Sequence, residues 1–208
     1  MIPVKVLALR YLPGADPAFC KALGVPPGHH SLGLLTTDCD DATYIALDEA
    51  TKAADVRVCY GRSFYAGAAN ATTPYAGEVL GILAAATPGA VRSGMEAALS
   101  ALENIGFREV GGVLYLAHTV SRCGSFLAKE AGVPEGSALA YLIAPPLESM
   151  VALDAALKAA DVKLCKLYSP PSETNFGGGL LTGTRSACAA AAAAFGAMVT
   201  QVAGSPLD

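Results

Sequence analysis

The chain contains one long stretch twice, and this repeat is the feature that most constrains its fold. Residues 46–63 read ALDEATKAADVRVCYGRS, and residues 152–169 read ALDAALKAADVKLCKLYS, 106 positions later. Eleven of the eighteen aligned positions are identical. A shorter match, LGVPPG at 23–28 and AGVPEG at 131–136, continues the correspondence at an offset of 108. Self-similarity over such a period indicates a tandem duplication of one structural unit.

The duplication predicts two domains, one over residues 1–107 and one over residues 108–208. Each is about 100 residues long, which is enough to bury a hydrophobic core. Short apolar runs alternate with helical patterns in both halves. We therefore predict the α+β class, with a small, mostly antiparallel sheet flanked by helices in each domain.

Hydrophobic periodicity and helix-capping residues give approximate bounds for these elements. Strands are expected at residues 4–9, 31–37, 56–60, 78–85, 114–117, 138–144 and 162–167, and helices at 16–23, 41–54, 88 to about 105, 147–160 and 186–202. Residues 61–77 and 168–179 are predicted to be long loops. Long ordered loops are usually functional, so we expect binding residues in or beside them.

Composition narrows the class of protein. The chain is 53% hydrophobic and 15% charged, which predicts that much of its apolar surface lies in interfaces of an oligomer. Its net charge of −4 supplies no basic field for nucleic acid. Six cysteines occur without a CxxC pair, as in a reduced cytosolic protein. Residues 186–207 are long enough to span a membrane, but alanine dominates them and we expect an interface helix instead.

Acidic and polar residues that occur in only one repeat are the best candidates for binding. Asp40 and Asp41 stand where the second repeat has Pro146 and Leu147. Glu78 opens a strand whose counterpart begins among glycines, and the sequence Glu-Thr-Asn at 173–175 occurs only in the second half. Carboxylates near loops together suit a small cation, because a desolvated ammonium group needs oxygen ligands.

Each of these features also has a structural explanation. Asp41 alone reads as a helix N-cap, and Glu78 alone as a solvated strand end. His29 and His30 lack a third metal ligand, so a solvated turn is favoured. His118 with Cys123 could form a nucleophilic dyad, but the sequence offers no orienting acid.

Several long strings in the chain resemble one family, the tandem-domain shell proteins of bacterial microcompartments, of the ethanolamine-utilisation type. The strings are SLGLLTTDCDDATYIALDEATKAADV from residue 31, YGRSFYAGAA from 60, AGEV from 76, AYLIAPPLES from 140, ALDAALKAADV from 152 and PPSETNF from 170. They cover most of the chain and are far more specific than short motifs.

The resemblance implies two circularly permuted shell domains and a homotrimer whose six domains form a pseudohexameric tile. It also implies a structural protein, not an enzyme, that has no cofactor or metal and lies in a microcompartment shell within the cytoplasm. Other shell proteins would pack against it edge to edge, encapsulated enzymes are further partners, and neither nucleic acid nor membrane is expected. A gated central pore and small acidic channels for an amino alcohol such as ethanolamine complete the expectation.

Carried over by motif, the family's sites fall on two sets of residues. The ethanolamine-binding positions are Asp40, Asp41, Glu78, Phe107, Thr174, Asn175 and Phe176. The pore and gate loops contain Asn70, Thr72, Thr73, Pro74, Tyr75, Gly177, Gly178 and Gly179. The residues by themselves leave two alternatives from other classes. One is a soluble small-molecule sensor made of duplicated α+β domains, and the other is a thiol enzyme that uses Cys123.

Overall fold

The structure is a computed structural model, and it describes residues 1–64, 78–170, 172 and 174–207. The backbone of Glu78 is described, but its side chain is not. The predicted pore residues Asn70, Thr72, Thr73, Pro74 and Tyr75 lie outside the described residues, as does Glu173.

The chain divides into two compact units. The N-terminal unit comprises Pro3–Ile105 and Gly124–Leu127, and the C-terminal unit comprises Met1–Ile2, Gly106–Cys123 and Ala128–Asp208. The sequence-based boundary between residues 107 and 108 stays a prediction. The short segment Gly124–Leu127 belongs with the N-terminal unit although it follows the first strands of the second half.

The N-terminal unit is a four-stranded antiparallel sheet with helices on both faces. Its elements are β1 (Val6–Leu12), α1 (Pro17–Ala22), β2 (Ser31–Thr37), α2 (Asp40–Ala53), β3 (Arg57–Phe64), β4 (Glu78–Ala85) and α3 (Pro88–Leu102). The strand order is β1-β2-β4-β3. Helices α2 and α3 pack on one face, where Ile45, Leu83 and Met95 are fully buried. The other face carries Leu32 and Ile82, with Leu23 against them.

The C-terminal unit repeats this plan with one additional strand. Its elements are β5 (Arg108–Val110), β6 (Val113–Val120), α4 (Ser125–Ala131, which begins in the N-terminal unit), β7 (Ala138–Ala144), α5 (Pro146–Ala159), β8 (Val162–Tyr168), β9 (Gly177–Gly183) and α6 (Arg185–Gly204). The strand order is β5-β6-β7-β9-β8, and every pairing is antiparallel. The predicted α+β class with two sheets and flanking helices is confirmed.

Capping residues explain where the two long helices begin. The Thr87 hydroxyl accepts a hydrogen bond from the Ala90 amide at 3.2 Å, and Pro88 occupies the first turn. The Thr184 hydroxyl accepts from the Ala187 amide at 3.1 Å in the same way. These threonines satisfy amides that a helix leaves unpaired at its start.

The alanine-rich helix α6 packs on the sheet of its own unit. Cys188, Ala191, Phe195 and Val199 form its buried side and contact α5 and strands β6, β7 and β9. By length and composition alone α6 also qualifies as a candidate membrane span. A single such helix is weak evidence, because the core helix of a sheet-and-helix domain passes the same test.

The prediction of a loop through residue 179 is wrong at its C-terminal end. Gly177, Gly178 and Gly179 are buried and begin β9, opposite Ala144, Ile143 and Leu142 of β7. A Cβ atom on Gly178 would lie 1.9 Å from the Leu142 carbonyl oxygen, and its φ is +150°. Glycine is required at these positions because two backbones approach each other closely. A glycine-rich sequence occurs both in loops and in such strands, so composition alone does not distinguish them.

Candidate binding residues in each unit

The paired carboxylates Asp40 and Asp41 lie together at the start of α2, in the N-terminal unit. They are 4% and 7% exposed, and the Asp41 amide donates to Asp40 Oδ1 at 2.8 Å. The N-cap residue is Cys39, and it makes no side-chain capping bond. The simple explanation of Asp41 as an N-cap is therefore wrong. Both acids occupy the first turn, where the helix dipole favours negative charge.

The groups around this pair are kept protonated. Burial raises the pKa of the Cys39 thiol well above its ordinary value, and the neighbouring Asp40 and Asp41 carboxylates add to the increase. Burial and then the Asp40 carboxylate also raise the pKa of Tyr44, while a hydrogen bond with Ser63 opposes them. The Cys39 thiol is therefore unsuited to nucleophilic chemistry at neutral pH.

Glu78 is placed by its backbone alone. It is the first residue of β4 and pairs with Phe64, the last residue of β3. The strand end predicted for it is confirmed in position. Its part in binding stays a prediction.

In the C-terminal unit, Phe107 and Phe176 meet. Their ring centres are 5.5 Å apart in an edge-to-face arrangement at 75°, and Phe107 is 2% exposed. The Phe107 carbonyl accepts a hydrogen bond from the Ile2 amide at 2.8 Å. Phe107 is thus a core aromatic residue.

Thr174 and Asn175 form a turn directly before Phe176. Asn175 is exposed and has a φ of +60°, a left-handed conformation that asparagine tolerates better than most residues. The Ser172 hydroxyl donates to the Phe176 carbonyl at 2.7 Å and closes the turn. The turn presents polar groups of Thr174 and Asn175 beside a fixed aromatic ring.

Asp48 is the buried polar residue that the sequence comparison missed. It is 0% exposed, and its carboxylate accepts from the Gly124 amide at 2.7 Å and the Leu127 amide at 2.8 Å. Burial raises the pKa of Asp48, against the lowering effect of these two bonds. Its repeat counterpart Asp154 is exposed and pairs with Lys158 at 2.6 Å. Two aspartates at equivalent positions thus have different roles. A search for differences between the two repeats does not find Asp48, because both repeats have aspartate at this position.

The remaining candidates are structural. The His29 and His30 rings each contact a carbonyl of the turn at 26–28, at 3.3 and 3.2 Å. Cys123 is 2% exposed and its thiol lies 3.6 Å from the Pro134 carbonyl. Within the described residues, no group of three His, Cys, Asp or Glu side chains is placed to hold a metal ion.

Comparison with known proteins places this fold in one class. Residues 31–117 match the family model of the BMC domain. The matched stretch begins at the first residue of β2 and ends within β6. The trimeric bacterial microcompartment shell protein PduB superposes with a TM-score of 0.81 at 21% identity, over 96% of this chain and 89% of that one, and so shares the fold. Two repeated antiparallel sheets with paired helices are thus the fold of tandem-domain microcompartment shell proteins.

Full-length similarity then identifies the particular family. The chain is 56% identical to the bacterial microcompartment shell protein EutL of Clostridium perfringens (strain 13 / Type A), over 100% of this chain and 97% of the relative. The crystal structure of the ethanolamine utilization protein EutL from Leptotrichia buccalis C-1013-b superposes with a TM-score of 0.93 at 57% identity, over 100% and 97% of the two chains. This chain belongs to the EutL family of bacterial microcompartment shell proteins, which are structural proteins and not enzymes.

Proposed function

We propose that the chain forms a homotrimer that serves as a pseudohexameric tile of a microcompartment shell in the bacterial cytoplasm. Each subunit contributes two shell domains, over residues 1–107 and 108–208, so three subunits supply six. Other shell proteins pack against the edges of the tile, and encapsulated enzymes lie behind it. Family membership favours this function over a soluble sensor.

The trimer is supported by a difference between equivalent helices. One face of α2 is covered by Gly124–Leu127: Asp48 accepts two of its amides, and the Tyr44 and Phe126 ring centres are 6.1 Å apart. No segment among the described residues covers the corresponding face of α5. Its exposed residues are Leu147, Met150, Val151 and Asp154, of which Leu147 is 61% exposed.

The segment that would cover α5 also exists in the chain. At the repeat offset of 108, residues 16–19 correspond to Gly124–Leu127, and they include Phe19, which is 42% exposed. An uncovered face and an unused covering segment on the same molecule favour a head-to-tail contact between copies. Such a contact closes into a ring when its rotation permits.

Light scattering tests the trimer. We expect a mass near 63 kDa, three times 21.0 kDa. Leu147→Arg should shift the mass towards the monomer because it places a charge in the apolar contact. Glu103→Lys at the exposed end of α3 is the control and should remain trimeric. A monomer or tetramer for the wild type would contradict the tile.

We further propose that the tile passes small metabolites, through a gated central pore and through small acidic channels that bind an amino alcohol such as ethanolamine. The observation that carries the binding site is the buried carboxylate pair Asp40 and Asp41, which the second repeat replaces with Pro146 and Leu147. Two adjacent acids are therefore not required by the fold. Glu78, Phe107, Thr174, Asn175 and Phe176 complete the proposed set.

A bound amine can control the pore only if it binds the open and closed states with different affinity. Asn70, Thr72, Thr73, Pro74 and Tyr75 are the proposed gate residues, together with the start of β9 at Gly177, Gly178 and Gly179.

Calorimetric titration with ethanolamine and 1-amino-2-propanol tests the site. We expect Asp41→Asn/Glu78→Gln to weaken binding at least tenfold, since charge-assisted bonds of about 1.5–3 kcal/mol each are lost. The matched control is Glu96→Gln/Glu103→Gln, which removes two exposed acids at helix α3 and should bind as the wild type does. Unchanged affinity in the first double variant would remove the assignment.

A further inference from the structure

A surface groove in the C-terminal unit lies between strand β6 and helix α6, apart from all residues assigned above. Its volume is about 470 Å³, and it is lined by Arg108, Tyr115, Thr119, Ala193, Gly196 and Ala197, among others. Pockets for small molecules commonly measure about 300–1,000 Å³. The groove is therefore large enough for a metabolite.

The repeat shows how this space arises. Thr87 and Thr184 both cap the long helix of their unit, so Arg92 of α3 corresponds to Ala189 of α6. In the N-terminal unit the Arg92 guanidinium carbon lies 4.7 Å from the centre of the Tyr11 ring and covers the sheet there. In the C-terminal unit only a methyl group occupies that position. The groove therefore lies where α6 has an alanine in the place of Arg92 of α3.

One buried polar group in the groove has no partner in the described part of the chain. Tyr115 is 9% exposed, and none of the hydrogen bonds of the described residues involves its hydroxyl. The hydroxyl lies over Gly196, where an added Cβ atom would be 3.4 Å from it. Polar groups on buried side chains are normally hydrogen-bonded, so an unpaired hydroxyl on a buried tyrosine that lines a groove points to a ligand.

The positively charged side chain of Arg108 lines the same groove. Arg108 of β5 is directly opposite Tyr115 in the antiparallel pairing, which places the two side chains on the same face of the sheet. Arg108 is exposed, and it forms no ion pair with any described residue. A guanidinium group binds a carboxylate or a phosphate through two parallel hydrogen bonds.

We propose that this groove binds a small amphipathic anion, whose carboxylate or phosphate head contacts Arg108 and the Tyr115 hydroxyl. Its short apolar body lies along Ala193 and Ala197. The site has the opposite charge preference to the amino-alcohol site proposed above and does not depend on it. Carboxylate and phosphate ligands share the chemistry of the head group, and two probes separate them.

Saturation-transfer NMR with hexanoate and with hexyl phosphate tests the proposal on the full chain in its native assembly. We expect at least one probe to receive saturation, strongest at the chain protons. Ala193→Glu restores the acid that α3 carries at Glu96 and should weaken binding at least tenfold. Ala190→Glu adds the same group at an exposed position of α6 outside the groove, and should bind as the wild type does.

Tyr115→Phe isolates the hydroxyl, because it removes one atom and leaves the ring in place. We expect binding to weaken about tenfold, as for one hydrogen bond to a charged group. Binding of one probe alone identifies the head group and supports the proposal. No saturation of either probe by the wild type, or equal binding by Ala193→Glu and Ala190→Glu, would overturn it. Loss of assembly in Ala193→Glu without binding of either probe would instead assign the groove to a second copy.

Discussion

Replacing Asp48 should destabilise the start of helix α4 far more than replacing its repeat counterpart Asp154. Asp48 is fully buried and accepts two amides, those of Gly124 and Leu127, at 2.7 and 2.8 Å. Asp48→Ala leaves both amides buried without an acceptor, at about 1–3 kcal/mol each. We expect a loss of about 3 kcal/mol, allowing for partial access of water to the vacated space.

Amide hydrogen exchange measures this loss where it occurs. A loss of about 3 kcal/mol corresponds to a roughly hundredfold faster exchange for the Gly124 and Leu127 amides. Asp154→Ala removes a carboxylate that pairs with Lys158 and bonds neither amide, so exchange of the Gly124 and Leu127 amides should change by less than about fivefold, or about 1 kcal/mol. Unchanged exchange at Gly124 in Asp48→Ala would refute the assignment, as would an equal effect of both variants.

The same carboxylate should make stability depend on pH. Burial raises the pKa of Asp48 above its ordinary value of 3.8, so the folded state binds a proton more readily than the unfolded state. This contribution is fully present below pH 3.8 and is lost as the pH rises through the higher folded-state value. Asp48→Asn does not titrate there. The unfolding free energy of the wild type minus that of Asp48→Asn should therefore fall as the pH is raised from acidic to neutral, and a rise would contradict this.

Three further predictions concern single sites. Gly178→Ala should lower the unfolding free energy measured in denaturant by about 3 kcal/mol, because the added Cβ would lie 1.9 Å from the Leu142 carbonyl oxygen. Gly14→Ala is the control, and it should be nearly neutral because open space surrounds Gly14. Phe176→Leu should lower the unfolding free energy by about 1 kcal/mol by removing an edge-to-face ring contact, and no change in the denaturation midpoint would contradict that. Burial raises the pKa of Cys59 from 9.0 to about 11. Alkylation of Cys59 at pH 8 should therefore be about a hundredfold slower in the native than in the unfolded protein. Equal rates would refute the burial of this thiol.

Much of the fold follows from the sequence because the repeat and the apolar runs are clear. Strands β2, β4 and β7 have the predicted bounds, since each is a continuous apolar run between polar or turn residues. Strand β5 was not predicted, because a three-residue strand between Gly106 and Gly111 has too few residues to show alternation. From the sequence, the glycines that begin β9 fit a loop as well as a strand, because close backbone packing and flexibility call for the same residue.

The candidate sites were predictable only where the two halves differ. Asp40 and Asp41 were found because the second half lacks them, and the structure places them together and buried. Asp48 was not found, because Asp154 is identical to it and its partners lie 76 and 79 residues away. The groove beside Tyr115 was also missed, since it is formed by the absence of large side chains on α6.

Electron microscopy of the purified protein at high concentration tests the central claim most directly. A pseudohexameric tile that packs edge to edge should form extended hexagonal sheets or tubes. Leu147→Arg, which should prevent the trimer, should form none. Discrete particles for the wild type at every concentration would contradict the account and favour a soluble sensor.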